Sequence, residues 1–148
     1  SAVILRTSWV YGAHGNNFVK TMLRLASDRE ELKVVSDQYG SPSWVGDIAQ
    51  AIFRLMEKEA EGLYHFSNSG EISWFDFATE VVSRGKALGM PIVAKSVLPI
   101  STEEYPTAAV RPQYSVLDSG KIGRLLAEDA PRWDDSLEKM LKELSSKK

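Results

Sequence analysis

The chain has 148 residues, a formal net charge of −2 and no cysteine. That length suits one ordinary domain burying roughly two-thirds of its unfolded surface, and without cysteine a disulfide framework, a thiolate metal site and a cysteine nucleophile are all excluded. The basic residues are spread along the chain, which argues against nucleic acid as the main partner. No apolar run approaches the ~20 residues of a membrane span and no signal peptide is recognisable, so the expectation is a cytoplasmic protein with no membrane contact.

The chain starts without Met and enters an apolar strand at Val3-Ile4-Leu5. That entry leads us to expect a fragment whose earlier part is missing, with residues 1–148 forming a single domain. The strand runs on into Arg6-Thr7-Ser8-Trp9-Val10-Tyr11-Gly12. Alternate residues of a strand share a face, so Trp9 and Tyr11 are expected on one side and Arg6 and Ser8 on the other. In open α/β sheets ligands bind where strands end, and the two aromatics could wall a pocket there. Core aromatics capping the sheet are the competing reading. Gly12-Ala13-His14-Gly15-Asn16-Asn17 is a polar, turn-forming run that places side-chain amides and backbone N–H groups beside them. Asn16 and Asn17 are candidate donors to a ligand, although Asn17 is equally explained as a helix cap.

Phe18, Met22 and Leu25 lie on one face of the first expected helix. Leu32 to Val35 is the next strand, and Asp37 to Pro42 has turn chemistry throughout. A second helix carries Asp47 in its first turn, with Ile48, Ile52, Leu55 and Met56 facing inward. Gly62 to Phe66 reads as a strand. Ser73 and Asp76 form a capping box opening a third helix, with Trp74, Phe77, Ala78 and Val81 inward. Ile92 to Val97 is a further strand. From Pro99 to Pro112 comes a long loop bearing Glu103, Glu104, Tyr105 and Arg111, and such loops inside a compact domain are usually functional or disordered. Two short helices follow, at about Ser119 to Glu128 and Asp134 to Leu144. The second should pair Asp135 with Lys139 and Glu138 with Lys142 on a solvated face. The alternation of strands and helices specifies an α/β fold.

No Gly-x-Gly-x-x-Gly and no Walker-type loop occurs, so the chain carries no recognisable dinucleotide or triphosphate cradle. His14 and His65 lack ligand spacing, and His65 in mid-strand reads as a core or edge residue. Neither Ser8 nor Ser73 stands in a nucleophile-elbow sequence.

The segments Arg6 to Tyr11, Gly15-Asn16-Asn17-Phe18 with Met22 to Ala26, Asp37 to Pro42, Gly62-Leu63-Tyr64-His65, Tyr105-Pro106-Thr107, Arg111-Pro112 and Ser115 to Asp118 together resemble the C-terminal half of the dTDP-4-dehydrorhamnose reductases, a family of extended short-chain dehydrogenases/reductases. The resemblance runs in order to about Leu144. Trp9 stands where related epimerases and dehydratases more often hold Asn. The resemblance implies a substrate-binding lobe with the last strands and helices of a Rossmann sheet. It implies no catalytic residue in this chain, because the Tyr-x-x-x-Lys pair and the glycine-rich NAD(P) loop lie upstream in the family. NADPH or NADH would serve the full-length enzyme and bind this chain weakly at most.

On the same ground Trp9 becomes the tryptophan of the sugar-nucleotide pocket, and Arg111 a bidentate clamp on the diphosphate of a dTDP-sugar. The competing reading of Arg111 is an ion pair with Glu103 or Glu104. Trp44-Val45-Gly46-Asp47 departs from the acidic pattern linked to magnesium in the family, so no metal is assigned. The resemblance leaves room for a homodimer. Two alternatives remain open: a non-catalytic regulatory subunit of the same fold, as serves methionine adenosyltransferase, and a sugar-nucleotide epimerase.

Overall fold

Apolar alternation makes β1 (Val3–Thr7), with Ile4 and Arg6 turned outward between Val3, Leu5 and Thr7. In the computed structural model, which describes residues 2–105 and 111–146, this strand stops at Ser8. Trp9 adopts a left-handed conformation with φ of 48°, and the chain resumes as β2 (Val10–Tyr11). Trp9 and Tyr11 are therefore not neighbours on one face of one strand, as their spacing predicts. The break gives them different ring partners, Trp74 for Trp9 and Phe77 for Tyr11, on the same apolar cluster.

Helix α1 (Phe18–Asp28) starts where Asn17 accepts a hydrogen bond from the Lys20 backbone N–H at 3.2 Å, and it buries Val19, Met22 and Ala26. Next come β3 (Glu31–Val35), β4 (Tyr39–Gly40) and β5 (Ser43–Trp44). The run Asp37 to Pro42, expected as turn throughout, thus contains a short strand. Helix α2 (Val45–Glu57) leads into β6 (Gly62–Phe66) and β7 (Ile72–Ser73). Helix α3 (Trp74–Ala87) has the expected capping box of Ser73 and Asp76. Strand β8 (Ser96–Ile100) and a 3-10 turn at Thr102–Glu104 replace much of the expected loop. Helices α4 (Gly120–Leu126) and α5 (Trp133–Ser145) close the chain.

The strands pair parallel as β1 with β6, β2 with β5 and β3 with β8, and antiparallel as β4 with β7. Two apolar clusters hold them. The larger joins α1, α3 and α5 through Val19, Phe77, Val81, Leu137 and Met140. The smaller seats Ala51 and Leu55 of α2 and Ile122 of α4 on Tyr64 and Phe66 of β6. Ile52 and Met56, expected inward, are 42% and 66% exposed. On α5, Glu138 lies 3.6 Å from Arg84 of α3 in place of the expected Lys142 partner. Its charged face thus contributes to packing between helices. No described helix is long and apolar enough to cross a membrane.

Candidate functional site

Strands β1 and β6 are parallel and in register, Thr7 opposite Phe66, so both deliver their following residues to one end of the sheet. Trp9 follows β1, and Ser67 and Asn68 follow β6. This is the end at which open parallel sheets bind ligands.

Trp9 is half-buried, and its indole stacks on Trp74 with ring centroids 3.6 Å apart and planes 15° from parallel. Trp74 in turn meets Phe18 at 4.7 Å. Tyr11 faces elsewhere. It is 1% exposed, packs edge-on against Phe77 at 5.4 Å and has no hydrogen-bond partner for its hydroxyl among the described residues. Burial, reinforced by the charge of Asp47, pushes its phenol far above the ordinary tyrosine range. The pocket-wall reading of Tyr11 is corrected to a core role.

The amide of Asn17 is occupied at both ends. Its oxygen caps α1, and its nitrogen donates to the Gly12 carbonyl at 2.7 Å. That geometry makes Asn17 a helix cap with one N–H of its nitrogen left over on a half-buried side chain, while Asn16 is exposed on the same loop. Arg111 is also exposed, and among the described residues it makes no ion pair with Glu103 or Glu104. Pro106 and Thr107 lie outside the described residues. Beyond Arg111 the chain is tied to β4: Tyr39 N–H donates to the Gln113 carbonyl at 2.7 Å, and Ser115 N–H to the Tyr39 carbonyl at 2.9 Å. The Tyr114 hydroxyl donates to Glu71 at 2.7 Å, which holds its phenol above the usual range.

Between α2, α4 and the chain leaving β6 lies a cavity of about 740 Å³, lined by Asp47, Arg54, Asn68, Glu71, Ser119 and Arg124 among others. Trp9 does not line it. The two are joined through Ser41, which borders the cavity and accepts from the Ser8 hydroxyl at 3.2 Å. Asn68, 1% exposed, organises the cavity wall. Its oxygen accepts from Trp44 N–H at 2.9 Å, and its nitrogen donates to Asp47 at 2.7 Å, to the Pro131 carbonyl at 3.1 Å and to the Ser136 hydroxyl at 3.3 Å. Ser136 also donates to Asp47. Sequence reasoning missed this network, since Asn68 precedes Ser-Gly and reads as ordinary turn chemistry.

Phosphate binds where helix N-termini offer free N–H groups. Here Ser73 caps α3 and Asn17 caps α1, α2 and α5 carry Asp47 and Asp134 with Asp135 in their first turns, and α4 begins at Gly120, whose N–H donates to Asp118. The described residues include no group of three or more His, Asp or Glu placed to hold a metal. The groups presented near this end are a stacked indole, the exposed Arg111 guanidinium, the exposed Asn16 amide and a cavity of mixed polar and apolar lining.

The relatives share this arrangement of elements. The chain is 44% identical over 146 residues to the spore coat polysaccharide biosynthesis protein SpsK of Bacillus subtilis, covering 98% of this chain and 48% of that one. It is 40% identical over 147 residues to the dTDP-4-dehydrorhamnose reductase of Escherichia coli, covering 96% and 49% respectively. The crystal structure of the Bacillus anthracis dTDP-4-dehydrorhamnose reductase in complex with NADP superimposes with a TM-score of 0.83 at 44% identity, over 95% of this chain and 48% of that one. The chain therefore spans about half the length of the relatives it matches, and its α/β fold is that of the extended short-chain dehydrogenases/reductases. A sequence profile described as RmlD substrate binding domain matches residues 1–146, and the chain belongs to that family.

Proposed function

We propose that this chain is the sugar-nucleotide recognition part of a dTDP-4-dehydrorhamnose reductase, which reduces dTDP-4-dehydro-L-rhamnose to dTDP-L-rhamnose with NAD(P)H. The observation that carries the reading is Trp9, an indole fixed beyond the end of a parallel strand pair in a chain 40% identical to the E. coli reductase. An apolar aromatic ring suits the C–H groups of a deoxyhexose and leaves the sugar hydroxyls to amide partners such as Asn16. Arg111, exposed and without an ion pair among the described residues, has the planar fork that grips a diphosphate. The nicotinamide cofactor supplies hydride when bound in the longer enzyme. We assign its cradle and the proton donor to the part of that enzyme outside this chain; the B. anthracis relative is in complex with NADP.

The test is calorimetric titration of dTDP-L-rhamnose into the wild-type chain and into Trp9→Ala, Arg111→Lys and Arg111→Ala at two salt concentrations. Trp9→Ala should lose about 1 to 3 kcal/mol of binding, the range of a buried aromatic anchor. Arg111→Lys should lose most of what Arg111→Ala loses, because an ammonium cannot reproduce the bidentate fork. Equal binding by all four proteins overturns the reading, and turnover of the dehydro-sugar by this chain alone overturns the division of labour.

A further inference from the structure

Trp9 holds a backbone conformation that bulky residues rarely adopt, with φ of 48°. Such a residue persists only where its surroundings over-determine it. Here they act on the backbone and the ring separately. The backbone is tied by Ser43 N–H, which donates to the Trp9 carbonyl at 3.0 Å, and by the preceding Ser8 hydroxyl on the Ser41 carbonyl. The ring has Trp74 across one face at 3.6 Å. It also has the Gly40 backbone over its other face: a Cβ at Gly40 would stand 2.6 Å from Trp9 Cε2, 2.7 Å from Cζ2 and 2.9 Å from Nε1. Real Cβ contacts are never so short, so the indole occupies the space a side chain at position 40 would fill.

Both ring contacts come from one small device. The β4–β7 ladder sets Gly40 opposite Ile72 and Tyr39 opposite Ser73. Ser73 is also the cap of α3, whose first residue is Trp74. The ladder therefore fixes the spacing between the Gly40 backbone and the Trp74 ring, and the Trp9 indole fills the gap. Phe18, at the start of α1, supports Trp74 in turn.

We propose that Trp74 and Gly40 are positioning residues for sugar-nucleotide recognition, setting the Trp9 indole in its binding orientation before a ligand arrives. The proposal rests on the reading of Trp9 as a wall of the sugar site. Trp74 and the Gly40 backbone hold the indole from opposite faces, and a ligand meets the part of the half-buried ring that lies beyond them. Pre-setting the ring removes the ordering cost that a free tryptophan would incur on binding. The role at Gly40 is one of space and not of backbone freedom, since its φ lies outside the left-handed range.

The experiment compares the wild-type chain with Trp9→Ala, Trp74→Ala, Trp74→Phe and Gly40→Ala. It reads the exciton couplet of the stacked indoles in circular dichroism and the affinity for dTDP-L-rhamnose by calorimetry. The wild type should show the couplet, and Trp9→Ala should lose it. Gly40→Ala keeps both indoles, yet should weaken the couplet and lower affinity about tenfold, the scale of one well-placed aromatic contact. Trp74→Ala should lose a similar amount, whereas Trp74→Phe, which restores a flat ring, should stay within about twofold of wild type. If Trp9→Ala weakens binding while Gly40→Ala and Trp74→Phe with Trp74→Ala all bind like wild type, the brace is wrong and the sugar-site reading survives. If Trp9→Ala itself binds like wild type, the sugar-site reading fails and takes the brace with it. A wild-type chain without the couplet overturns the stack directly. Should Trp74→Ala not fold, Gly40→Ala and Trp74→Phe decide.

Discussion

Tyr11 buries a hydroxyl that has no hydrogen-bond partner among the described residues. A buried polar group without a partner costs stability, so Tyr11→Phe should leave the urea midpoint unchanged or raise it, while Tyr11→Ala, which opens a cavity, should cost about 3 to 5 kcal/mol. Neither should alter dTDP-L-rhamnose affinity in a folded chain, and a selective loss of affinity in Tyr11→Phe would return the residue to the site. Asn68 is the opposite case, a buried polar group with every atom used. Asn68→Ala would strand the Trp44 N–H and remove a donor from Asp47, an expected loss of about 3 kcal/mol in urea unfolding. A loss below that of an ordinary surface substitution would mean that water replaces the amide. At this scale the sequence singles out Trp9, Asn16 and Arg111 as candidates by residue type and by their place at the ends of elements. Asn68 was not legible. Its partners Asp47 and Ser136 stand 21 and 68 positions away, and local pattern says nothing of such convergence.

Elements whose causes are local were readable, and those set by distant pairing were not. The caps of α1 and α3 are side chains within three residues of the N–H groups they satisfy. Strand β8, by contrast, runs Ser96–Ile100 and not Ile92 to Val97, because its limits come from β3, with Glu31 opposite Ser96 and Val35 opposite Ile100. Even Pro99 is accommodated, as a proline can be on a strand's unpaired side. The 3-10 turn after β8 is then anchored by Asp37. Its carboxylate accepts from the Thr102 hydroxyl at 2.6 Å and from the Thr102 N–H at 2.9 Å, and these bonds, the hydroxyl's first, hold its pKa below the ordinary carboxylate value. A lowered folded-state pKa means that the stabilisation is present above the unfolded value of about 3.9 and is lost as pH falls through the folded value. Urea midpoints measured from neutral pH down to strongly acid conditions should therefore fall more steeply for wild type than for Asp37→Asn. Parallel curves would show that the carboxylate contributes nothing to the anchor.

Parallel sheets are ordinarily covered on both faces, and the β1–β6 pair is covered on one. Val3, Leu5, Tyr64 and Phe66 meet α2 and α4, while Ile4 and Leu63 on the other face are 58% and 38% exposed. Helix α2 repeats the pattern. Its inner stripe of Ile48, Ala51 and Leu55 packs on the sheet, and Val45, Ala49, Ile52, Phe53 and Met56 form a second apolar stripe, exposed over three turns. Arg54, nine residues beyond Val45, projects to the opposite flank at 100° per residue, where it reaches Glu128 and the Leu126 carbonyl at the end of α4. With α4 on one flank, the apolar stripe faces the flank beside β1. A helix apolar on two faces belongs between two layers, and the longer relatives contain about as much chain again with which to build the second. In the isolated chain, Phe53→Glu with Met56→Lys should therefore reduce self-association in sedimentation velocity and leave the urea midpoint within about 0.5 kcal/mol, as for substitutions at solvent-facing positions. In a reductase of full length the same pair of substitutions should instead cost stability, because there the stripe would be interior. A large loss already in the isolated chain would mean that the stripe is packed within this half and that the open flank of α2 is not a seat for further chain.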